Sequence, residues 1–256
     1  MPTYKTEGII LRKNNIFEAD QIITFYTRHQ GKLRAIAKGI RKAKSRRSGH
    51  LELFMLTDLI IANGKNLDVI TSAENIEAYK HLRNDLEIYS QLGSVLEMVD
   101  LMTPEGHNDT RIFTLLKNTL EWLNENAQSK NRHIILRAFE IKLLTITGHA
   151  PVADKCVRCG RALKPQRNGF SDLLGGVVCS GCASKRDEAV AISDGAIKLL
   201  RLITKNELAT VAKISPEDQA WQNLEDILSD FIKAILDRHL PSKDFVRHIK
   251  ALEKSA

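Results

Sequence analysis

The sequence predicts an α+β chain: a small N-terminal β-barrel, then an all-α domain interrupted by a metal-binding ribbon. Three observations predict it. Short apolar and β-branched runs, separated by Gly and Asn, fill residues 1–80. From about residue 80 the apolar positions shift to the 3.6-residue period of helices. The four cysteines fall into two Cys-x-x-Cys pairs, Cys156/Cys159 and Cys179/Cys182, with nineteen residues between them.

The strand runs are Gly8-Ile9-Ile10-Leu11, residues 22–27, Leu33-Arg34-Ala35-Ile36-Ala37, residues 51–62 and Leu67-Asp68-Val69-Ile70. Breaks are expected at Asn14-Asn15, Gln30-Gly31, Gly39, Gly49 and Asn63-Gly64, where Gly and Asn accept turn conformations. Gln30-Gly31-Lys32 reads as a hairpin loop with Gly at positive φ. Some five short strands at this spacing suit an OB-fold over residues 1–80.

Residues 81–256 read as helical. Leu82, Leu86, Leu92, Val95, Leu96 and Val99 keep helical spacing, and Ile112, Leu115, Leu116, Leu120 and Leu123 repeat it after His107-Asn108-Asp109. Residues 131–147 are apolar nearly all round, which predicts a buried helix. Arg137 and Glu140 stand at i, i+3 on it and can pair. A helix restarts near Ser193. Ser215-Pro216 reads as an N-cap with Pro in the first turn, opening a helix that stops before Pro241, and a last short helix is expected over 243–253.

The cysteine spacing predicts one tetrahedral Zn²⁺ site held by Cys156, Cys159, Cys179 and Cys182, in a ribbon inserted at about 152–190. Four protein ligands leave no open position, so the metal reads as structural. His149, seven residues before Cys156, is weighed as a substitute ligand and set aside as a helix-end histidine. Two disulfides would need an oxidising compartment. The N-terminus Met1-Pro2-Thr3-Tyr4 carries no signal-peptide core, and no apolar run reaches the roughly 18 residues of a membrane span. A soluble, cytoplasmic protein without a membrane segment is expected.

The formal charge is +7 and unevenly placed: residues 1–80 hold 14 Lys and Arg against 8 Asp and Glu, and the rest hold 24 against 23. Such an excess favours an anionic partner, usually nucleic acid. It is densest over residues 32–47, with eight basic residues in sixteen and no acid. Lys32, Arg34, Lys38, Arg41, Lys42, Lys44, Arg46 and Arg47 are the candidate phosphate contacts. Arg34 and Lys38 are expected on one sheet face, and the second half of the run as an open loop. The run itself holds no aromatic residue, so phosphate-led, sequence-independent binding is expected rather than a stacking ladder. No phosphate-loop, dinucleotide-fold, His-Glu-x-x-His or nucleophile-elbow motif occurs, and nothing points to catalysis.

In order along the chain stand Glu7-Gly8-Ile9-Ile10-Leu11-Arg12, Glu18-Ala19-Asp20, Tyr26-Thr27, Gly31-Lys32, Ala37-Lys38-Gly39-Ile40-Arg41, Arg137-x-Phe139-Glu140-x-Lys142-Leu143-Leu144, Gly148-His149-x-Pro151, and the two cysteine pairs preceded by Gly175-Gly176. This combination resembles the RecO family of bacterial recombination mediators across essentially the whole chain. The resemblance implies an OB-fold and a helical domain with an inserted zinc ribbon. It implies DNA repair and recombination through binding of single- and double-stranded DNA, annealing of complementary strands, and loading of RecA on strands coated with single-stranded-DNA-binding protein. RecR and the acidic C-terminal tail of that coating protein are the implied partners, and the nucleoid the implied location. Such a tail needs a cation beside an apolar groove, and Arg132 and Arg137 are the candidates. The alternative reading is a zinc-ribbon RNA-binding protein of translation or transcription. A nuclease ranks third, because thiolates are the wrong ligands for Mg²⁺.

Overall fold

The computed structural model describes residues 2–165, 167–183 and 189–237. The described residues divide into two compact units, one up to Ala127 and one from Gln128 to Asp237. The helix expected over 243–253 and the stop before Pro241 lie outside the described residues.

The first unit begins with five strands: β1 (Thr3–Ile16), β2 (Asp20–Thr27), β3 (Gly31–Ala37), β4 (Leu56–Ala62) and β5 (Asp68–Glu77). They close into a barrel in the order β1-β2-β3-β5-β4, with β3 and β5 parallel and the other pairs antiparallel. This is the OB-fold the sequence predicts. Alternate inward residues make its core, with Ile10, Ile23, Phe25, Ala35, Leu59, Ile61 and Ile70 buried together. β1 is longer than its apolar run. A bulge between Ile10 and Arg12 bends it, and Asn14 and Asn15 pair with Ile22 and Gln21. The hairpin therefore turns at Phe17-Glu18-Ala19 rather than at the asparagines. The run 51–62 also divides: only its second half is strand, while Leu51 and Met55 enter the core from irregular backbone.

Among the described residues, three helices complete this unit: α1 (Lys80–Arg83), α2 (Leu86–Met102) and α3 (Thr110–Glu125). Asp85 caps α2 by accepting from the Ile88 amide at 3.0 Å, and Asp109 caps α3 through Arg111 N at 2.9 Å. The change of period near residue 80 thus marks where helix begins, whereas the compact units divide after α3.

Packing on the barrel explains one of two glycines at positive φ. Gly31 has φ +66°, and a Cβ there would lie 2.0 Å from the His107 carbonyl oxygen. Gly39 has φ +64° but would meet only the flexible Lys42 side chain, at 3.6 Å.

The second unit is built on α4 (Arg132–Ile146), α5 (Asp194–Lys205), α6 (Leu208–Val211) and α7 (Asp218–Leu236). α4 buries residues on every side, as its pattern predicts. Ser193 caps α5 by accepting from Ala196 N at 3.1 Å. The Ser215 cap does not form. α7 starts at Asp218 with Glu217 as its cap residue, so Pro216 lies before the helix. Between α4 and α5 sit three short strands, β6 (Asn168–Ser171), β7 (Gly176–Val178) and β8 (Val190–Ile192), in the order β7-β6-β8. Phe170 of β6 meets Phe231 of α7 edge-on at 5.3 Å, which seats this sheet on the helices.

In denaturant unfolding, Gly31→Ala is expected to cost at least about 2 kcal/mol and Gly39→Ala about 1 kcal/mol, because only the former adds a backbone clash to the left-handed φ. Equal losses would remove the His107 contact from the account.

Candidate nucleic-acid interface and metal centre

The basic run crosses from β3 to β4. Along β3 the side chains alternate, with Leu33, Ala35 and Ala37 toward the core and Lys32 and Arg34 outward. Outward is not exposed. α2 passes over that face, and Lys32 is 8% exposed. Its ammonium donates to the Asp100 backbone carbonyl and, at 3.0 Å, to the Asp100 carboxylate. Arg12 reaches the same carboxylate at 3.2 Å. Lys32 is therefore committed inside the protein, against the expectation of a phosphate contact. Arg34 is exposed but ion-paired with Glu105 at 2.5 Å.

Beyond β3 the chain does not form the open loop expected. Residues 38–47 fold as consecutive turns, with Lys42 N donating to Gly39 O at 3.2 Å and Ser45 N to Lys42 O at 2.8 Å. They are pinned to the β1–β2 hairpin: Gly39 N donates to Asp20 Oδ1 at 2.7 Å, Arg41 N to Ala19 O at 3.0 Å, and Arg41 Nη1 to Glu18 O at 3.1 Å. Arg47 donates to Ile70 O at 2.6 Å and Lys38 O at 2.7 Å, tying the turns to β5. Ile40 anchors them in the core. Five cations of the run remain outward: Lys38, Arg41, Lys42, Lys44 and Arg46 are exposed, and none is ion-paired among the described residues.

Sequence reasoning missed one residue here. Phe17, at the tip of the β1–β2 hairpin, is 86% exposed and has φ +53°. Its signal was position: it directly precedes Glu18-Ala19-Asp20, the segment that holds the basic turns.

The four cysteines converge. The sulfurs of Cys156, Cys159, Cys179 and Cys182 lie within 4.8 Å of one another. A tetrahedral site with thiolates at about 2.3 Å from a metal needs sulfurs about 3.8 Å apart, and Cys159 and Cys179 stand at 3.9 Å. The first knuckle closes through Gly160 N to Cys156 O at 2.9 Å, with Gly160 at φ +73°. The second closes through Cys182 N to Cys179 O at 2.8 Å. Val157 N bonds Val177 O at 2.9 Å, bringing the two knuckles together. A Cβ on Gly176 would strike Val152 O at 2.5 Å, so that strand needs its glycine.

The donor set is polarised toward metal binding. Burial pushes the Cys156 thiol up, but amides of Cys179, Cys159 and Arg158 outweigh it and hold the group down to about 6. The Arg161 amide is the main cause that lowers Cys159. Bonds to Cys159 and then Cys179 push the Cys182 thiol up to about 12. His149 is outside this cluster, with its Nδ1 3.4 Å from Thr147 Oγ1. The ribbon is held to α5 by Arg201 Nε to Ala153 O at 2.8 Å and by Lys205 to Asp154 at 3.0 Å.

Arg137 sits between two carboxylates, Glu140 at 2.5 Å and Glu225 of α7 at 3.2 Å. Burial opposes its charge, and Glu140 and Glu225 more than restore it. Its guanidinium thus joins α4 to α7 rather than facing a ligand. Arg132 is half-buried in the first turn of α4. Lys142 donates to Asn206 O, the residue that ends α5, at 2.6 Å.

Two family models match this chain: Recombination protein O N terminal over residues 1–79 and Recombination protein O C terminal over residues 83–244. The chain belongs to the RecO family. Among its relatives, the DNA repair protein RecO of Roseiflexus sp. (strain RS-1) is 34% identical over 99% of this chain and 88% of its own length. That of Dehalococcoides mccartyi (strain ATCC BAA-2266 / KCTC 15142 / 195) is 32% identical over 92% and 91%. That of Symbiobacterium thermophilum is 29% identical over 98% and 99%. A RecO protein is a protein of DNA repair and recombination. No helix among the described residues is long and apolar enough to cross a membrane.

Arg137→Ala is expected to lower stability by about 2 kcal/mol, because it takes a charged hydrogen-bond donor away from Glu140, with a side chain 5% exposed, and from Glu225; loss of tail-peptide binding at unchanged melting temperature would contradict this. Cys156→Ser is expected to abolish stoichiometric binding of a thiophilic divalent metal, read by Cd²⁺–thiolate absorbance. In the wild type that binding should strengthen as pH rises, since the metal displaces the Cys182 proton. Metal stoichiometry unchanged by the substitution would count against the four-sulfur site.

Proposed function

We propose that this chain binds single- and double-stranded DNA without sequence preference, anneals complementary strands, and helps load RecA on strands coated with single-stranded-DNA-binding protein. The observation that carries the reading is the set of five exposed, unpaired cations on the turns 38–46 beside a closed barrel. Two complementary strands repel through their phosphates. Cations that neutralise phosphates release condensed counterions and lower that repulsion. Phosphate contacts leave the base edges free, so a bound strand can still pair. A pinned set of turns presents these charges together at little ordering cost.

Of the candidates read from sequence, Lys38, Arg41, Lys42, Lys44 and Arg46 carry the proposal. Lys32 and Arg47 hold the surface in place, and Arg34 shares its charge with Glu105. We further propose zinc as the metal of Cys156, Cys159, Cys179 and Cys182, because two Cys-x-x-Cys knuckles supply four soft ligands and no open position. Its role is to fold the ribbon. RecR and the acidic tail of the coating protein are the proposed partners. For the tail, Arg132 and Arg137 of α4 are the cations put forward, and Arg137 also bonds two carboxylates.

The test is annealing of labelled complementary strands coated with single-stranded-DNA-binding protein, by wild type and by a variant with Lys38, Arg41, Lys42, Lys44 and Arg46 changed to Ala. Wild type should accelerate annealing, and log K against log salt should slope at about −3.5 on single strands for five neutralised phosphates. The variant should lose both. A wild-type slope near zero, or tighter binding of RNA than of DNA of matched sequence, would overturn the reading.

A further inference from the structure

Phe17 is the only exposed aromatic side chain among the described residues, and the residue after it, Glu18, is bonded by Arg41 of the basic turns. Its backbone is the second anomaly. A bulky residue at φ +53° is an outlier where Gly or Asn would be at ease. Such strain persists where the surroundings impose it and concentrates at working sites. The surroundings impose it here. Ile16 and Asp20 are paired across the hairpin, and Glu18, Ala19 and Asp20 each accept a hydrogen bond from Gly39 or Arg41. The ring is therefore held out into solvent by a turn that the basic segment itself clamps.

Resting on the DNA-binding reading, we propose that Phe17 stacks on one unpaired base of a single strand whose phosphates lie on Arg41, Lys42 and Lys44. Arg41 sets the spacing: it bonds the carbonyl of Glu18, whose Cα is about 3.8 Å along the chain from that of Phe17. A phosphate on Arg41 thus lies one residue along the chain from Phe17. The tip itself repels phosphate, because Glu18 is an exposed carboxylate beside Phe17. An aromatic face and a carboxylate suit a base, with its π-face and exocyclic amines, better than they suit a backbone. A single ring takes a single base. The strand gains register on the protein while its other bases remain free to pair, which is compatible with annealing. This adds one stacked base to a surface that the sequence reads as phosphate contacts alone.

The test compares binding of the full chain to a 20-nucleotide single strand and to a strand of equal length and charge made of abasic sites, by fluorescence anisotropy at several salt concentrations. Wild type should favour the intact strand by about five- to a hundredfold. Phe17→Ala should bind both strands with the affinity wild type shows for the abasic one, with the salt slope unchanged. Phe17→Trp should retain the preference. Phe17→Gly should lose it while melting at or above the wild-type temperature, because glycine relieves the left-handed backbone. Phe17→Ala with an undiminished preference would overturn the proposal. Equal weakening on both strands would also overturn it, by assigning Phe17 a structural role. Wild type that binds neither strand would instead overturn the parent reading of DNA binding.

Discussion

Closure of a five-stranded barrel imposes a crossing. Once β1 pairs with both β2 and β4, and β3 with β5, no edge remains, and the chain must pass over one end of the barrel between β3 and β4. Residues 38–55 make that passage. They leave the ladder, so their polar groups need other partners. Asp20 accepts from Gly39, Arg47 donates to Lys38 and Ile70 carbonyls, and Ile40, Leu51 and Met55 plug the core below. Everything exposed on this side follows from that cap. The cations left over face outward because the inward positions are filled, and the hairpin tip at Phe17 stands where it does because the cap grips its next three residues.

The eight basic residues from 32 to 47 thus divide by geometry rather than by type. The strand period puts Arg34 on one sheet face, and Lys32, two residues before it, shares that face. What a period cannot state is whether another element covers that face. Asp100, 68 residues downstream, does so, and its carboxylate receives both Lys32 and Arg12. The same limit applies to Arg137. Its pairing with Glu140 is local and readable at i, i+3, whereas Glu225 lies 88 residues away and enters only through the packing of α7 on α4. Local chemistry misled in two places. Asn14-Asn15 has turn residues but remains in strand, because a long β1 continues past its apolar run. Ser215 has capping chemistry, but α7 begins three residues later.

The barrel and the cysteine site were legible for opposite reasons. The barrel shows in many weak signals that agree: alternation, Gly breaks and short spacing. The metal site shows in one strong signal, since a four-thiolate set constrains the spacing within each pair while tolerating length between pairs. The amides that lower Cys156 come from Cys179 on the far knuckle as well as from Cys159 and Arg158 nearby. Prefolding of the sulfurs therefore depends on β7 bringing Val177 against Val157, and that contact was not readable from the cysteines alone.

The proposed phosphate contacts and an exposed ring place different demands on the same turns. Cations on long side chains tolerate imprecision, since Coulomb attraction falls slowly with distance. Stacking does not, because a ring displaced by a few ångströms no longer covers a base. The structure reflects that difference. Lys42, Lys44 and Arg46 extend from turns with ordinary backbone, whereas Phe17 is fixed by a strained residue between a paired strand end and three hydrogen-bonded neighbours. Strain held at an exposed position brings no packing in return. If stability alone governed the site, Gly or Asn would serve the turn better than Phe. The ring is the part of the hairpin that folding does not explain.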